Sequence, residues 1–212
     1  ITTTMTEQSQ IVKILLVGDA GAGKTTTSHC YVDRVYLQAN LEPQTLGVDF
    51  RHKIVQKTFR QEQINVKLQI WDIADMGEHF RHHPVIYKNA SAVLFLFDTT
   101  NRASFERLSR HLDFMRENDP NQVIQFLIVG TKIDLALRRQ VTNEEAERFA
   151  EGLHSQFIEI SNFDGTGLER CFDLLIQKVM DHPNFSEKYN EKQIAQIAKR
   201  VLVDDRPKRF CE

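Results

Sequence analysis

Gly18-Asp19-Ala20-Gly21-Ala22-Gly23-Lys24-Thr25 decides the fold of this chain. It follows the apolar run Ile11 to Val17 and leads into a helix-like segment, which gives strand, glycine-rich loop and helix in the spacing G-x-x-x-x-G-K-[ST]. Glycines let such a loop take positive φ and bring successive N–H groups to bear on phosphate oxygens. The backbone from Asp19 to Gly23 is the expected cradle, with Thr26 beside it. Lys24 is spaced to reach the β- and γ-phosphates and Thr25 to hold Mg²⁺ through its hydroxyl. The helix that opens near Gly23 turns its positive end toward the anion. This motif specifies phosphate, neither the base nor the reaction.

The base is specified further on, at Gly130-Thr131-Lys132-Ile133-Asp134, after the apolar run Val123 to Val129. A carboxylate at Asp134 accepts hydrogen bonds from the N1–H and 2-amino group of guanine, a donor pair that adenine lacks. The Lys132 stem can lie along the purine face and brace the loop. Alone, T-K-x-D is a weak signal; after a phosphate loop, in order and at a strand end, it is a strong one. A helix or turn cap is the plainer role open to Asp134. Ser161 and Asn162, after the run Phe157 to Ile160, offer backbone N–H groups to the guanine O6. Between the two motifs, Thr45 in Pro43-Gln44-Thr45-Leu46-Gly47 is expected to complete the Mg²⁺ shell when a γ-phosphate is present. Asp72, ending the strand Val66 to Trp71, is expected to hold the metal through water. Magnesium keeps several waters, so two hydroxyls and one distal carboxylate suffice.

The order of these motifs resembles the Ras-like small GTPases, and the Rab branch in particular. Leu46-Gly47-Val48-Asp49-Phe50 is close to the Rab I-G-V-D-F signature, and Lys67-Leu68-Gln69-Ile70-Trp71 matches K-L-Q-I-W outright. Phe95-Leu96-Phe97-Asp98-Thr99-Thr100 and Ser104-Phe105 are similar to the family's fourth strand ending. The resemblance covers residues 10–181. It implies a P-loop NTPase G domain, an α/β fold whose six-stranded, mostly parallel sheet is flanked by helices. It implies GTP/GDP and Mg²⁺ as cofactors, Tyr36 near the guanine edge, and switches near 38–49 and 73–88 that meet exchange factors, activating proteins and effectors. It also implies a molecular switch of vesicle traffic, cytoplasmic or on the cytosolic face of vesicles.

The departures from the family pattern bear on catalysis. Where the family reads W-D-T-A-G-Q-E-R-F, this chain reads Trp71-Asp72-Ile73-Ala74-Asp75-Met76-Gly77-Glu78-His79-Phe80, one residue longer. The glycine that meets the γ-phosphate becomes Asp75 or Met76, and the glutamine that orients the attacking water becomes Met76 or Gly77. Phosphoryl transfer rests on positioning and charge stabilisation, so very slow hydrolysis is expected of Lys24, Thr45 and the altered position. A carboxylate at Asp75 about 6 Å from a phosphate repels it by roughly 3 kcal/mol at an effective dielectric constant of about 20. Such repulsion lowers GTP affinity or pushes the segment outward; if Asp75 points into solvent, screening removes it. Ala20 crowds the γ-phosphate slightly, Thr131 replaces an Asn, and Asn162-Phe163 replace Ala-Lys, weakening the inferred O6 contact. Of the Rab aromatic triad, Phe50 and Trp71 are kept and Ile86 stands third, with Tyr87 beside it.

Composition sets the outer bounds. The chain has 212 residues, 41% hydrophobic, with a formal net charge of −2, so neither nucleic acid nor bulk membrane attraction is implied. Its three cysteines lack zinc or redox spacing and suit a reducing compartment; Cys30 is expected in the core. No apolar stretch is long enough to span a membrane. The histidines His79, His82 and His83 cluster without a completing ligand set, which reads as exposed surface rather than a metal site.

Strands are expected at 11–17, 48–59, 63–72, 91–97, 123–129 and 156–160, the second and third forming a hairpin. Helices are expected at 23–36, 84–89, 104–117, 143–152 and 167–181, with a capping box from Thr142 to Glu145. The G domain is set at residues 5–181, after an apparent vector remnant at 1–4. Residues 182–212 are an extension in which Ser186 caps a helix to about Val203; 185–203 packs on its own domain, links to a further domain or binds a partner. The end Cys211-Glu212 is not a prenylation box, so membrane attachment would need a lipidated continuation. Two rivals to the switch remain: a catalytically impaired GDP/GTP-binding scaffold or half of a multidomain protein, and an ATPase or small-molecule kinase, against which Lys132 and Asp134 argue.

Overall fold

The computed structural model describes residues 10–35, 48–59, 61–73 and 86–186. Six strands form one sheet in the order β2-β3-β1-β4-β5-β6: β1 Gln10–Val17, β2 Val48–Phe59, β3 Glu62–Ile73, β4 Ala92–Asp98, β5 Gln125–Thr131 and β6 Gln156–Glu159. Only the hairpin β2–β3 is antiparallel, as expected; β1 pairs in parallel with both β3 and β4. The apolar runs explain the middle of the sheet. Strands buried on both faces read as near-continuous apolar runs, and Ile11 to Val17, interrupted only by Lys13, and Ala92 to Phe97 are buried throughout.

Period-two alternation divides these side chains between two cores. Val12, Ile14 and Leu16 join Leu68, Ile70, Leu94 and Leu96 under α1 (Lys24–Asp33) and α5 (Leu168–Asp181). Ile11, Leu15 and Val17 join Trp71, Phe95 and Phe97 under the helices of the opposite face. Those are α2 (Arg102–Glu106), α3 (Leu108–Asn118) and α4 (Asn143–Gly152). Thr142 caps α4 by accepting the Glu145 N–H at 3.2 Å, and Cys30 is buried as expected.

Four expected boundaries move, each for a local reason. The first helix starts after Gly23 and ends at Asp33, because Arg34 takes the left-handed conformation at φ 55°. Residues 104–117 are not one helix: Arg110 N–H reaches back three residues to Arg107 O, a tighter turn that separates α2 from α3. The fifth strand starts at Gln125, since the Asp119 carboxylate takes the Val123 and Ile124 N–H groups at 3.0 and 2.8 Å. The helix expected at 84–89 does not form over its described part: 86–89 is a short turn, with Ala90 N–H bonded to Tyr87 O at 2.9 Å. The helix expected after Ser186 lies outside the described residues.

Candidate functional site

Sheet order reverses at β1, between β3 and β4, and ligands of open α/β sheets sit beyond the carboxyl ends of strands at such a point. The loop from Gly18 to Gly23 leaves β1 there. Gly18 has φ 150°, and a Cβ on it would fall 2.1 Å from Leu96 O, so the loop turns flat against β4. Gly23 caps α1 and Thr27 N–H bonds back to its carbonyl at 2.8 Å. Ala20 and Gly21 are exposed at the rim, Thr26 is half-buried, and Ala22 is buried. Lys24 is 6% exposed and donates to Gly18 O at 2.7 Å and Asp19 O at 2.8 Å, so its charge stays within the loop's own ring.

Asp72 reaches this loop through strand register. Leu16 of β1 pairs with Asp72 of β3, one position before each strand ends. The Thr25 hydroxyl consequently donates to Asp72 Oδ2 at 2.5 Å. A hydroxyl and a carboxylate in contact are hard oxygen donors that fit Mg²⁺. Among the described residues no cluster of three His, Cys, Asp or Glu forms a further metal site.

Opposite, the ends of β5 and β6 converge. The Thr131 hydroxyl lies 3.0 Å from the carbonyls of both Ala22 and Phe97, binding the second motif to the first. Lys132 takes φ 61°, and its ammonium lies 2.7 Å from Asp98 Oδ2. Asp134 Oδ1 accepts the Ser161 hydroxyl at 2.8 Å, which fixes the carboxylate's orientation. Asn162 departs from expectation through its side chain. Its amide donates to Thr27 Oγ1 at 2.9 Å and to Gly23 O at 3.3 Å, so it ties the segment after β6 to the start of α1. Phe163 is left 59% exposed at the rim.

Sequence reasoning missed four residues. Asp98 ends β4 and pairs with Lys132, a role its strand-end position could have signalled. Arg107 and His111 contact Asp19 across 88 and 92 residues, and nothing local announces that. Lys13, 1% exposed in β1, donates to Ile86 O and, at 3.1 Å, to Lys88 O, with its ammonium 4.7 Å from the Trp71 ring centre. Burial lowers this ammonium to about 7. The same region turns Tyr87 inward, 3% exposed and against Phe114, while Phe50 meets Trp71 edge-on and stays 44% exposed. Tyr36, Thr45, Asp75, Met76, Gly77, His79, His82 and His83 lie outside the described residues.

Residues 13–181 match the model of the Ras family. Among curated proteins the chain is similar to the Ras-related protein RabC of Dictyostelium discoideum, 32% identical over 173 residues covering 82% of this chain and 86% of that one. It is 37% identical to the Ras-related protein Rab-42 of Mus musculus over 79% of this chain and 76% of that one. Against the Ras-related protein Rab-26 of Bos taurus the identity is 35%, over 79% of this chain and 63% of that one.

Proposed function

This chain belongs to the Ras family of small GTPases and is Rab-like, and on that premise we propose that it is a guanine-nucleotide switch of vesicle trafficking whose intrinsic GTP hydrolysis is very slow. Members of this family bind GTP and GDP. The observation that carries the guanine reading is the Asp134–Ser161 bond at 2.8 Å, beside a loop latched to the phosphate cradle by Thr131 and Asn162. A carboxylate fixed through one oxygen presents its acceptor edge in a single orientation, as recognition of adjacent N1–H and 2-amino donors requires.

The proposed phosphate contacts are the backbone from Asp19 to Gly23 with Lys24, Thr25 and Thr26. Thr131, Lys132, Asp134, Ser161 and Asn162 form the base side, and Tyr36 joins them. Bound Mg²⁺ would supply charge neutralisation between the phosphates; Thr25 and Thr45 would hold it directly and Asp72 through water. Slow hydrolysis follows from sequence: Met76 or Gly77 stands where the family has its water-orienting glutamine, and neither side chain can orient a water. Residues 5–181 are the proposed G domain, and exchange factors, activating proteins and effectors are expected at 38–49 and 73–88. The extension after 181 would meet a further domain or partner. The proposed setting is the cytosol or the cytosolic face of vesicles. Among the described residues no helix is long and apolar enough to cross a membrane.

The same departure at 75–77 favours one rival, a GDP/GTP-binding scaffold without turnover. Single-turnover hydrolysis of γ-labelled GTP with Mg²⁺ separates the two. Slow phosphate release, abolished by Lys24→Ala or by chelation, is the expected result. GTP that stays intact, or never loads while GDP does, would overturn the switch reading.

A further inference from the structure

The side chain of the second residue of the phosphate loop is held by α3 and the turn that precedes it. Asp19 is 4% exposed. Arg107, at the junction of α2 and α3, donates through Nε to its Oδ2, and His111 Nε2 of α3 lies 3.2 Å from its Oδ1. A carboxylate only accepts, so His111 Nε2 carries the hydrogen and donates it. The main chain of the same residue faces the other way. Asp19 O accepts the Lys24 ammonium at 2.8 Å and the Ala22 N–H at 3.2 Å. One residue therefore connects α3, through its side chain, to the lysine of the cradle, through its carbonyl.

An anion at this place is a liability in two ways. A buried carboxylate without partners is costly to hold, and one in a phosphate loop repels the polyphosphate that the loop must receive. Arg107 and His111 remove both difficulties. We propose that Arg107 and His111 are positioning residues for nucleotide binding, neutralising and orienting Asp19 so that its carbonyl sets the Lys24 ammonium. This rests on reading the Gly18–Thr25 loop as the phosphate site. Arg107 keeps 52% of its side chain exposed, so replacing it removes charge from the clamp rather than bulk from the core.

The test is release of a fluorescent GDP analogue from the full chain. Wild-type protein holding GDP upholds the nucleotide reading independently. Arg107→Ala is expected to speed release by about tenfold or more, and His111→Leu by a smaller factor in the same direction. Arg107→Lys, which keeps the charge, recovers most of the retention. The deciding variant pairs Arg107→Ala with Asp19→Asn: without the carboxylate there is nothing to neutralise, so release returns to within about threefold of Asp19→Asn alone. A defect in α3 packing would not be repaired by that change. Wild-type release from both Arg107→Ala and His111→Leu, or failure of Asp19→Asn to rescue, overturns the clamp. A wild-type chain that holds no GDP removes the reading beneath it and the clamp with it.

Discussion

Replacing Asn162 by alanine tests whether the base loop and the phosphate loop act as one unit. The substitution removes the 2.9 Å bond to Thr27 Oγ1, with the longer 3.3 Å contact from that hydroxyl back to Asn162 Oδ1, and the 3.3 Å bond to Gly23 O. Gly23 O keeps its 2.8 Å bond from Thr27 N–H, so that carbonyl is not stranded. The Thr27 hydroxyl, 0% exposed, loses its partner unless it turns onto a helix carbonyl, as threonine readily does. The loss is thus one good hydrogen bond and a fraction of a second, about 1 kcal/mol net, or roughly fivefold. If the two loops separate when nucleotide leaves, this appears as a roughly fivefold faster GDP release. The assay is stopped-flow release of a fluorescent GDP analogue, run beside urea unfolding on the same variants. Thr27→Val should remove most of the effect of Asn162→Ala, because the two side chains share the shorter bond and only the longer one to Gly23 O remains. An unchanged release rate together with the full stability loss would refute the coupling, and so would strict additivity of the two substitutions.

Two further expectations concern the framework. Burial takes the Lys13 ammonium from 10.5 unfolded to about 7 folded. The unfolded chain therefore holds more protons between those values, and the penalty present below pH 7 is relieved as pH rises. The Ile86 and Lys88 carbonyls and the Trp71 ring favour the cation and oppose the shift. Stability should then rise by at most about 3 kcal/mol between about pH 7 and about pH 9.5. Burial also raises Tyr31 and Tyr87, which act only above about pH 10. Urea unfolding of Lys13→Met should give a flatter pH dependence; parallel slopes would contradict the account. Separately, Gly18→Ala would set a Cβ 2.1 Å from Leu96 O in the buried β4, costing about 3 kcal/mol or more, whereas Gly21→Ala meets no atom within 4 Å and costs only about 1 kcal/mol of backbone strain. Equal unfolding midpoints for the two variants would show that the close approach is absent.

How much of the site was legible depends on how locally each part is encoded. Gly18 to Thr25 carries its own turn, cap and charge, and the apolar runs on either side announce the strands. The two runs Ile11 to Val17 and Ala92 to Phe97 have the length and composition of strands covered on both faces, and they are buried as such. Boundaries shift from the sequence pattern where a side chain intercepts the backbone, as the Asp119 carboxylate does for Val123 and Ile124. The expected backbone role of Asn162 concealed its side-chain bond to Thr27, 135 residues away.

By itself, then, the order of residues determined the glycine-rich loop after β1, the T-K-x-D motif after β5, the six strands and the family to which they belong. Those features are written in short-range spacing: a glycine every few positions, an apolar residue at each or every second position, a motif at a strand's end. Tertiary structure alone decided that Asp72 meets Thr25, that Asn162 latches the base loop to α1, and that Arg107 and His111 close on Asp19. Each of these contacts depends on strand register and helix placement summed over the whole sheet. A hydrogen bond needs its partners within about half an ångström, which no local pattern of residue types can specify.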